Sequence, residues 1–354
     1  MDRSVIIYFS IFCFIVFSSM RAEKSNKKIT IFPIIGVLTF LAGFRNYSVG
    51  MDTWQYVEKF NVISLGKIEY AYGLEYTFRY ICKFLLHIYD SPTFLLFVFS
   101  LLTNSLIILR FWDLKKVSNF TMMIICYYCT FYFYTFNVMR QMCSVAIIFF
   151  ATRYLKNGNY VKYLLSVAIA YCFHNSSIIG LILYFFEFFR WSDLKKQSKK
   201  FLIFILLITP WCVKQFFSQI EKYSLYLDKT EYKIGFMLIV KTFIYLFFII
   251  TIIMPKRKTN NLLADKYSNN YIIYYGIGIV LTAAGYVFLH MERIGLYFYL
   301  FEGYFWGIVI KNVKNKEKTF YFIVLGLILM YYLYGCLFVG GQGQLPYYFV
   351  WENR

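Results

Sequence analysis

The sequence predicts an all-α fold: a polytopic integral membrane protein with about 12 transmembrane helices. Three observations carry that expectation. Apolar runs close to the length of a hydrocarbon core follow one another almost from end to end. The loops between them alternate between strongly basic and weakly charged. No polar stretch between the runs is long enough for a soluble domain, so residues 1–354 read as one membrane-embedded domain.

The apolar runs fall near 4–20, 29–44, 92–110, 119–136, 141–155, 160–173, 176–189, 200–217, 235–254, 271–289, 294–310 and 318–339. The first lacks a small-residue cleavage site and leads into basic residues, so it reads as a retained span. The basic loops are Arg21/Lys24/Lys27/Lys28, Arg110/Lys115/Lys116, Arg153/Lys156/Lys162, Arg190/Lys195/Lys196/Lys199/Lys200, Lys256/Arg257/Lys258/Lys266 and Lys311/Lys314/Lys316/Lys318. The positive-inside rule assigns all six to the cytoplasm. A net charge of +19 would suggest nucleic acid in a soluble protein, but here it is concentrated in topology-setting loops, so no nucleic-acid partner is expected.

This alternation leaves residues 45–91 as a long extracytoplasmic loop. Segment 74–89 cannot be an ordinary span, because the next basic loop would then face outward. Glu75, Arg79 and Lys83 recur along it at four-residue intervals, which predicts an outer interfacial or re-entrant amphipathic helix. Segment 160–189 is split at His174-Asn175-Ser176-Ser177, which keeps the basic loop at 190–200 inside.

The eight cysteines form no disulfide framework. Cys126 and Cys129 have a redox-like spacing but lie inside an apolar run without His or acidic partners, so packing explains them. No metal site and no cofactor are expected: the chain has no Walker A motif, no Gly-rich nucleotide fingerprint and no His-Glu-x-x-His.

Candidate chemistry therefore lies on the outer side. Arg140 joins two apolar runs with almost no loop around it, at a depth where an ionisable group needs a partner. Its guanidinium could bind phosphate by a bidentate fork, or snorkel to lipid headgroups. Arg45 and Asp52 flank Gly50, and a salt bridge pinning the loop competes with a functional reading. Arg293 beside Glu292 is ambiguous in the same way. His174, at a helix break, is either a general base or a hydrogen-bonded structural residue. His290 ends another apolar run on the same side, and His87 falls on the amphipathic segment as a weaker candidate. Glu302, inside an apolar run, should face the protein interior and could pair with an arginine, in a structural role more than a catalytic one.

Read in order, Gly43-Phe44-Arg45, Gly50-x-Asp52 and Tyr56, Met139-Arg140-Gln141, Arg153-Tyr154-Leu155, Phe173-His174-x-Ser176 and Arg293-x-x-x-Tyr297-Phe298 resemble the EpsG family, which belongs with the Wzy-type bacterial polysaccharide repeat-unit polymerases. The specific parts are the Arg45 to Tyr56 loop and Met139-Arg140-Gln141; the rest is generic hydrophobic sequence.

The resemblance implies a multi-pass glycosyltransferase of the bacterial cell (inner) membrane. Such an enzyme joins undecaprenyl-diphosphate-linked oligosaccharide repeat units of O-antigen, capsule or exopolysaccharide. It implies Arg45, Arg140 and Arg293 on the donor diphosphate and Asp52 or His174 as base. Gly50, Tyr56, Gln141, Glu292 and Tyr297 are implied in support. Membrane lipids, a chain-length regulator and a flippase are the other partners it suggests. Rival readings are a lipid-linked oligosaccharide flippase, an O-antigen ligase or O-acyltransferase, and a structural subunit; the flippase reading lacks visible internal symmetry.

Overall fold

The computed structural model describes residues 3–188, 236–248, 266–285, 291–312 and 315–352. The expected run at 200–217, the basic loops at 190–200 and 256–258, and His290 lie outside the described residues. The chain divides into two compact units, Met1–Ile178 with Trp306–Arg354, and Ile179–Phe305. Among the described residues both are helical, and the one isolated β-bridge joins Arg45 to Phe349.

The first unit opens with α1 (Arg3–Lys24) and α2 (Phe32–Gly43). Two helices of the long loop follow, α3 (Thr53–Ser64) and α4 (Tyr76–Ile88). Then come α5 (Pro92–Leu114), α6 (Phe120–Cys126), α7 (Tyr134–Asn137), α8 (Met139–Lys156) and α9 (Tyr160–Phe173). Pro33 and Pro92 sit in the first turns of α2 and α5, where a missing N–H removes no helical bond. Asn119 caps α6, its side chain accepting from the N–H of Met122 at 2.9 Å.

The second unit holds α10 (Gly180–Phe188), α11 (Phe236–Phe248), α12 (Lys266–Gly285) and α13 (Met291–Tyr299). α14 (Glu302–Asn312) begins in it and runs on into the first unit, where α15 (Asn315–Tyr334) follows. Gly278 lets α12 and α13 meet closely, since a Cβ there would stand 2.6 Å from the Tyr299 backbone.

Three stretches, Arg3–Lys24, Pro92–Leu114 and Thr319–Val339, are long and apolar enough to cross a membrane. The expected count of about 12 spans is not established by the described helices. Several apolar runs fold as shorter helices, such as Tyr160–Phe173. The run at 119–136 is interrupted: after α6 the backbone widens into a π turn over Tyr127–Phe131, then re-forms as α7. The Thr130 hydroxyl donates to the Cys126 carbonyl at 2.7 Å inside that turn. The split of 160–189 is found where expected. α9 stops at Phe173, and His174 Nδ1 accepts from the Ser176 hydroxyl at 2.7 Å before a 3-10 turn leads to α10.

The long loop is an ordered cap. Its Tyr56, Phe60, Ile63, Leu74, Phe78, Cys82 and Leu85 pack with Leu95, Leu96 and Phe99 of α5 and Met139 and Cys143 of α8 in one buried cluster. Each large apolar side chain withdrawn from water there contributes about 1.5–3 kcal/mol.

Segment 74–89 is helical as expected, but its charged stripe does not lie on the outer face. Arg79 is buried among backbone carbonyls and Glu75 turns inward, while Lys83 is exposed. The outer face is instead Tyr76, Tyr80, Phe84 and Ile88, exposed at four-residue intervals. An aromatic stripe with one basic flank is what a helix at a membrane–water boundary presents.

Candidate functional site

The site is built on the loop that follows α2. Arg45 is fully buried, at 0% exposure. Its Nε donates to the Thr53 hydroxyl and its Nη2 to the Phe136 carbonyl, both at 3.2 Å, and its Nη1 donates to the Ala42 carbonyl. The guanidinium also lies 4.8 Å from the Phe136 ring centroid. Burial pushes its pKa down to about 10, and the tyrosines around it work in the other direction. Arg45 thus joins the end of α2, the start of α3 and α7, with every nitrogen engaged.

Gly50 completes this arrangement. It sits at φ +96°, and a Cβ there would stand 2.7 Å from Thr53 Oγ1 and 2.8 Å from the Phe136 carbonyl. Its N–H donates to the Gly343 carbonyl at 2.7 Å, and the next N–H, of Met51, donates to Asn137 Oδ1 at 2.7 Å. Asn137 in turn donates to Gln342, at 2.9 Å to its carbonyl and 2.6 Å to Oε1. Backbone bonds from Asn46 to Tyr348 and from Val350 to Phe44 continue the contact. The segment 340–350 therefore forms one wall of the loop, a role sequence reasoning missed. The Gly340-Gly341-Gln342-Gly343-Gln344 run after an apolar helix was the available signal.

Arg140 lies in the first turn of α8, three residues beyond this junction. Val138 (φ −83°, ψ 49°) is non-helical and separates α7 from α8. Arg140 forms an ion pair with Glu75, both side chains 15% exposed. Its Nη2 donates to the Gly73 carbonyl at 3.4 Å. Its guanidinium lies 5.4 Å from the Phe78 ring centroid and 5.8 Å from that of Tyr56. Burial holds the Tyr56 hydroxyl above its usual pKa, against the pull of Arg140. Tyr56 is within electrostatic range of both Arg45 and Arg140 and so links the two layers.

Asp52 occupies the N-cap position of α3 without capping it. Among the described residues its half-buried carboxylate makes no hydrogen bond or ion pair, although Tyr56 and Lys59 feel its charge. Asp52, Tyr56 and Lys59 follow one another at helical spacing along one side of α3. Gln141 is buried behind Arg140. His174 caps the end of α9, with Nδ1 occupied by the hydroxyl and N–H of Ser176. Exposed His87 bonds its own helix through the Lys83 carbonyl.

Three candidates belong to the second unit. Glu292 and Arg293 are exposed in the first turn of α13, and Tyr297 is buried one turn further on. Of the three arginines expected to share one cavity, Arg45 and Arg140 lie in the first unit and Arg293 in the second. Glu302 faces the interior as expected, but its partner is a lysine and not an arginine. Lys241 of α11 stands 2.6 Å from its Oε1, and Tyr275 donates to the same oxygen at 3.3 Å. Lys241 lies inside an apolar helix, where its partner was not legible from spacing.

Groups of His, Cys, Asp and Glu able to hold a metal ion are absent among the described residues. A separate cleft of about 490 Å³ is lined by Phe44, Tyr89, Phe94, Phe97 and Trp351, and no candidate residue lines it.

The EpsG family model matches residues 28–349. No curated protein and no solved structure matches the chain.

Proposed function

The chain belongs to the EpsG family, a family of Wzy-type polymerases, and from that premise we propose that it polymerises polysaccharide from repeat units carried on undecaprenyl diphosphate. The reaction joins the growing glycan of one lipid-linked donor to the next lipid-linked unit, on the outer side of the bacterial cell (inner) membrane.

The observation that carries this reading is the arrangement around Arg140. A diphosphate leaving group develops negative charge as the glycosidic bond to it breaks, and a fixed cation in a water-poor site stabilises that charge most. Arg140 is mostly withdrawn from water, backed by aromatic rings and held by an anion, Glu75, whose carboxylate resembles a phosphate face. Arg45 is assigned a positioning role, because its donors are already spent on carbonyls. Arg293 is assigned an assisting role on the second unit.

Asp52 is preferred over His174 as the base that takes the proton of the acceptor hydroxyl. Among the described residues the Asp52 carboxylate makes no hydrogen bond or ion pair, whereas His174 Nδ1 is engaged by Ser176. The hydroxyl oxygen then attacks the anomeric carbon, and undecaprenyl diphosphate leaves with the bonding electrons. No metal is required if arginine neutralises the leaving group.

The test is polymer formation by the purified protein on synthetic undecaprenyl-diphosphate-linked repeat units. A ladder of multiples of the repeat supports the reading; transfer to a lipid A core alone, or acylation of intact polymer, would replace it with the ligase or acyltransferase alternative.

A further inference from the structure

Lys59 is the unexplained cation of the cap. It is half-buried on α3, and among the described residues it makes no hydrogen bond or ion pair. Asp52 and Glu58 act on it only at longer range. Its Nζ comes close to Gly73, where a Cβ would stand 3.3 Å from it. The carbonyl of that same glycine accepts from Arg140 Nη2. One backbone unit, held at φ +77°, thus separates two cations.

Arg79 explains how the turn is held. Its Nε donates to the Leu74 carbonyl at 3.1 Å and its Nη1 to those of Ile68 and Glu69 at 3.4 and 3.2 Å. The third cation nearby is therefore consumed in bracing the turn. Of Lys59 and Arg140, only Arg140 is ion-paired among the described residues, with Glu75. Among the described residues the buried Arg140 Nε has no acceptor. Burial first, and the charge of Arg140 second, hold the Lys59 ammonium below its ordinary pKa. Two like charges kept close in a half-dry site are a cost that a multivalent anion would remove.

We propose that Lys59 and Arg140 form a two-cation seat over Gly73 for the phosphate group of a phosphate ester, and that Glu75 holds the place of that anion until it enters. The seat deepens the polymerase reading and rests on it for the identity of the ester, the donor diphosphate. Lys supplies a mobile point charge and Arg a fixed fork, a pairing suited to an anion that gains charge during reaction. Displacing Glu75 from Arg140 would release the ion pair that ties the start of α4 to α8, so filling the seat is coupled to the cap.

The experiment measures binding of inorganic pyrophosphate to the full-length protein in phosphatidylcholine nanodiscs by calorimetry, with thermal unfolding to check each variant. Lys59→Ala should weaken binding about tenfold or more, the loss expected for one charge-assisted bond. Lys59→Arg should restore it, and Glu75→Gln should tighten it. Wild-type affinity in Lys59→Ala, or no pyrophosphate binding by the wild type, overturns the seat. In discs containing phosphatidylglycerol, binding should persist; its loss would assign the seat to lipid headgroups and overturn the diphosphate role. Polymer assays run alongside separate the two ideas. Polymerisation with Lys59-independent binding sinks only the seat, and Lys59-dependent binding without polymer sinks only the polymerase reading.

Discussion

Glu75, at the N-cap of α4, is ion-paired with Arg140 in the first turn of α8. The pair fastens a helix of the 45–91 loop to the residue on which the proposed chemistry depends. Both side chains are mostly buried, so neither charge is stable alone, and whatever replaces one must be of the same sign.

Arg140 is accordingly the most sensitive position. Arg140→Ala should lower the rate of polymer formation on synthetic lipid-linked repeat units by about 100- to 1000-fold. Arg140→Lys keeps the charge but loses the planar fork, and should remain badly impaired. A near wild-type rate in Arg140→Ala, at matched expression, would remove it from the donor site.

The two candidate bases separate by what their side chains already do. Asp52→Asn should abolish polymerisation while leaving thermal stability close to wild type, since its carboxylate makes no hydrogen bond among the described residues. His174→Ala should retain activity and lose about 1 kcal/mol of stability through the Ser176 bonds. If both variants stay active, the base lies elsewhere, with Glu292 or Glu302 next.

Gly50→Ala tests the loop beneath. Its positive φ and the 2.8 Å approach of a Cβ to the Phe136 carbonyl forbid a side chain without backbone movement. The substitution should cost on the order of 1–3 kcal/mol, read as a lowered unfolding temperature, with activity falling in parallel. Unchanged stability would show that the 340–350 wall is not needed to hold the loop.

In the second unit, Lys241→Met alone should destabilise the protein by about 3–5 kcal/mol, because Glu302 is left charged and buried. Lys241→Met combined with Glu302→Gln should recover most of that loss in thermal unfolding. Catalytic failure of the double variant at full stability would instead give the pair a chemical role.

Topology is open to a direct test. In a Cys13→Ser background, Asn61→Cys should react with an impermeant thiol reagent on intact cells, and Lys116→Cys should not. Reaction of the second would invert the assignment of the basic loops and place Arg140 away from the donor.

Apolar periodicity and basic loops suffice to predict a helical membrane chain, and the family resemblance joins Arg45, Gly50, Asp52 and Arg140 in one motif set. Helical order is local: it depends on runs of apolar residues and on breaks such as Val138 and His174, which any reader of the sequence can see. Pairing is not local. Glu75 reads as one member of a surface stripe until α4 packs its Phe78–Cys82–Leu85 face against α5 and brings the carboxylate to Arg140. Arg45 reads as a ligand-binding cation until the carbonyls of Ala42 and Phe136 surround it. Lys241 and Glu302 are distant apolar-run interruptions until the second unit folds. In each case the deciding term is desolvation. A charge withdrawn from water must find a partner, and only the tertiary structure determines which partner is within reach.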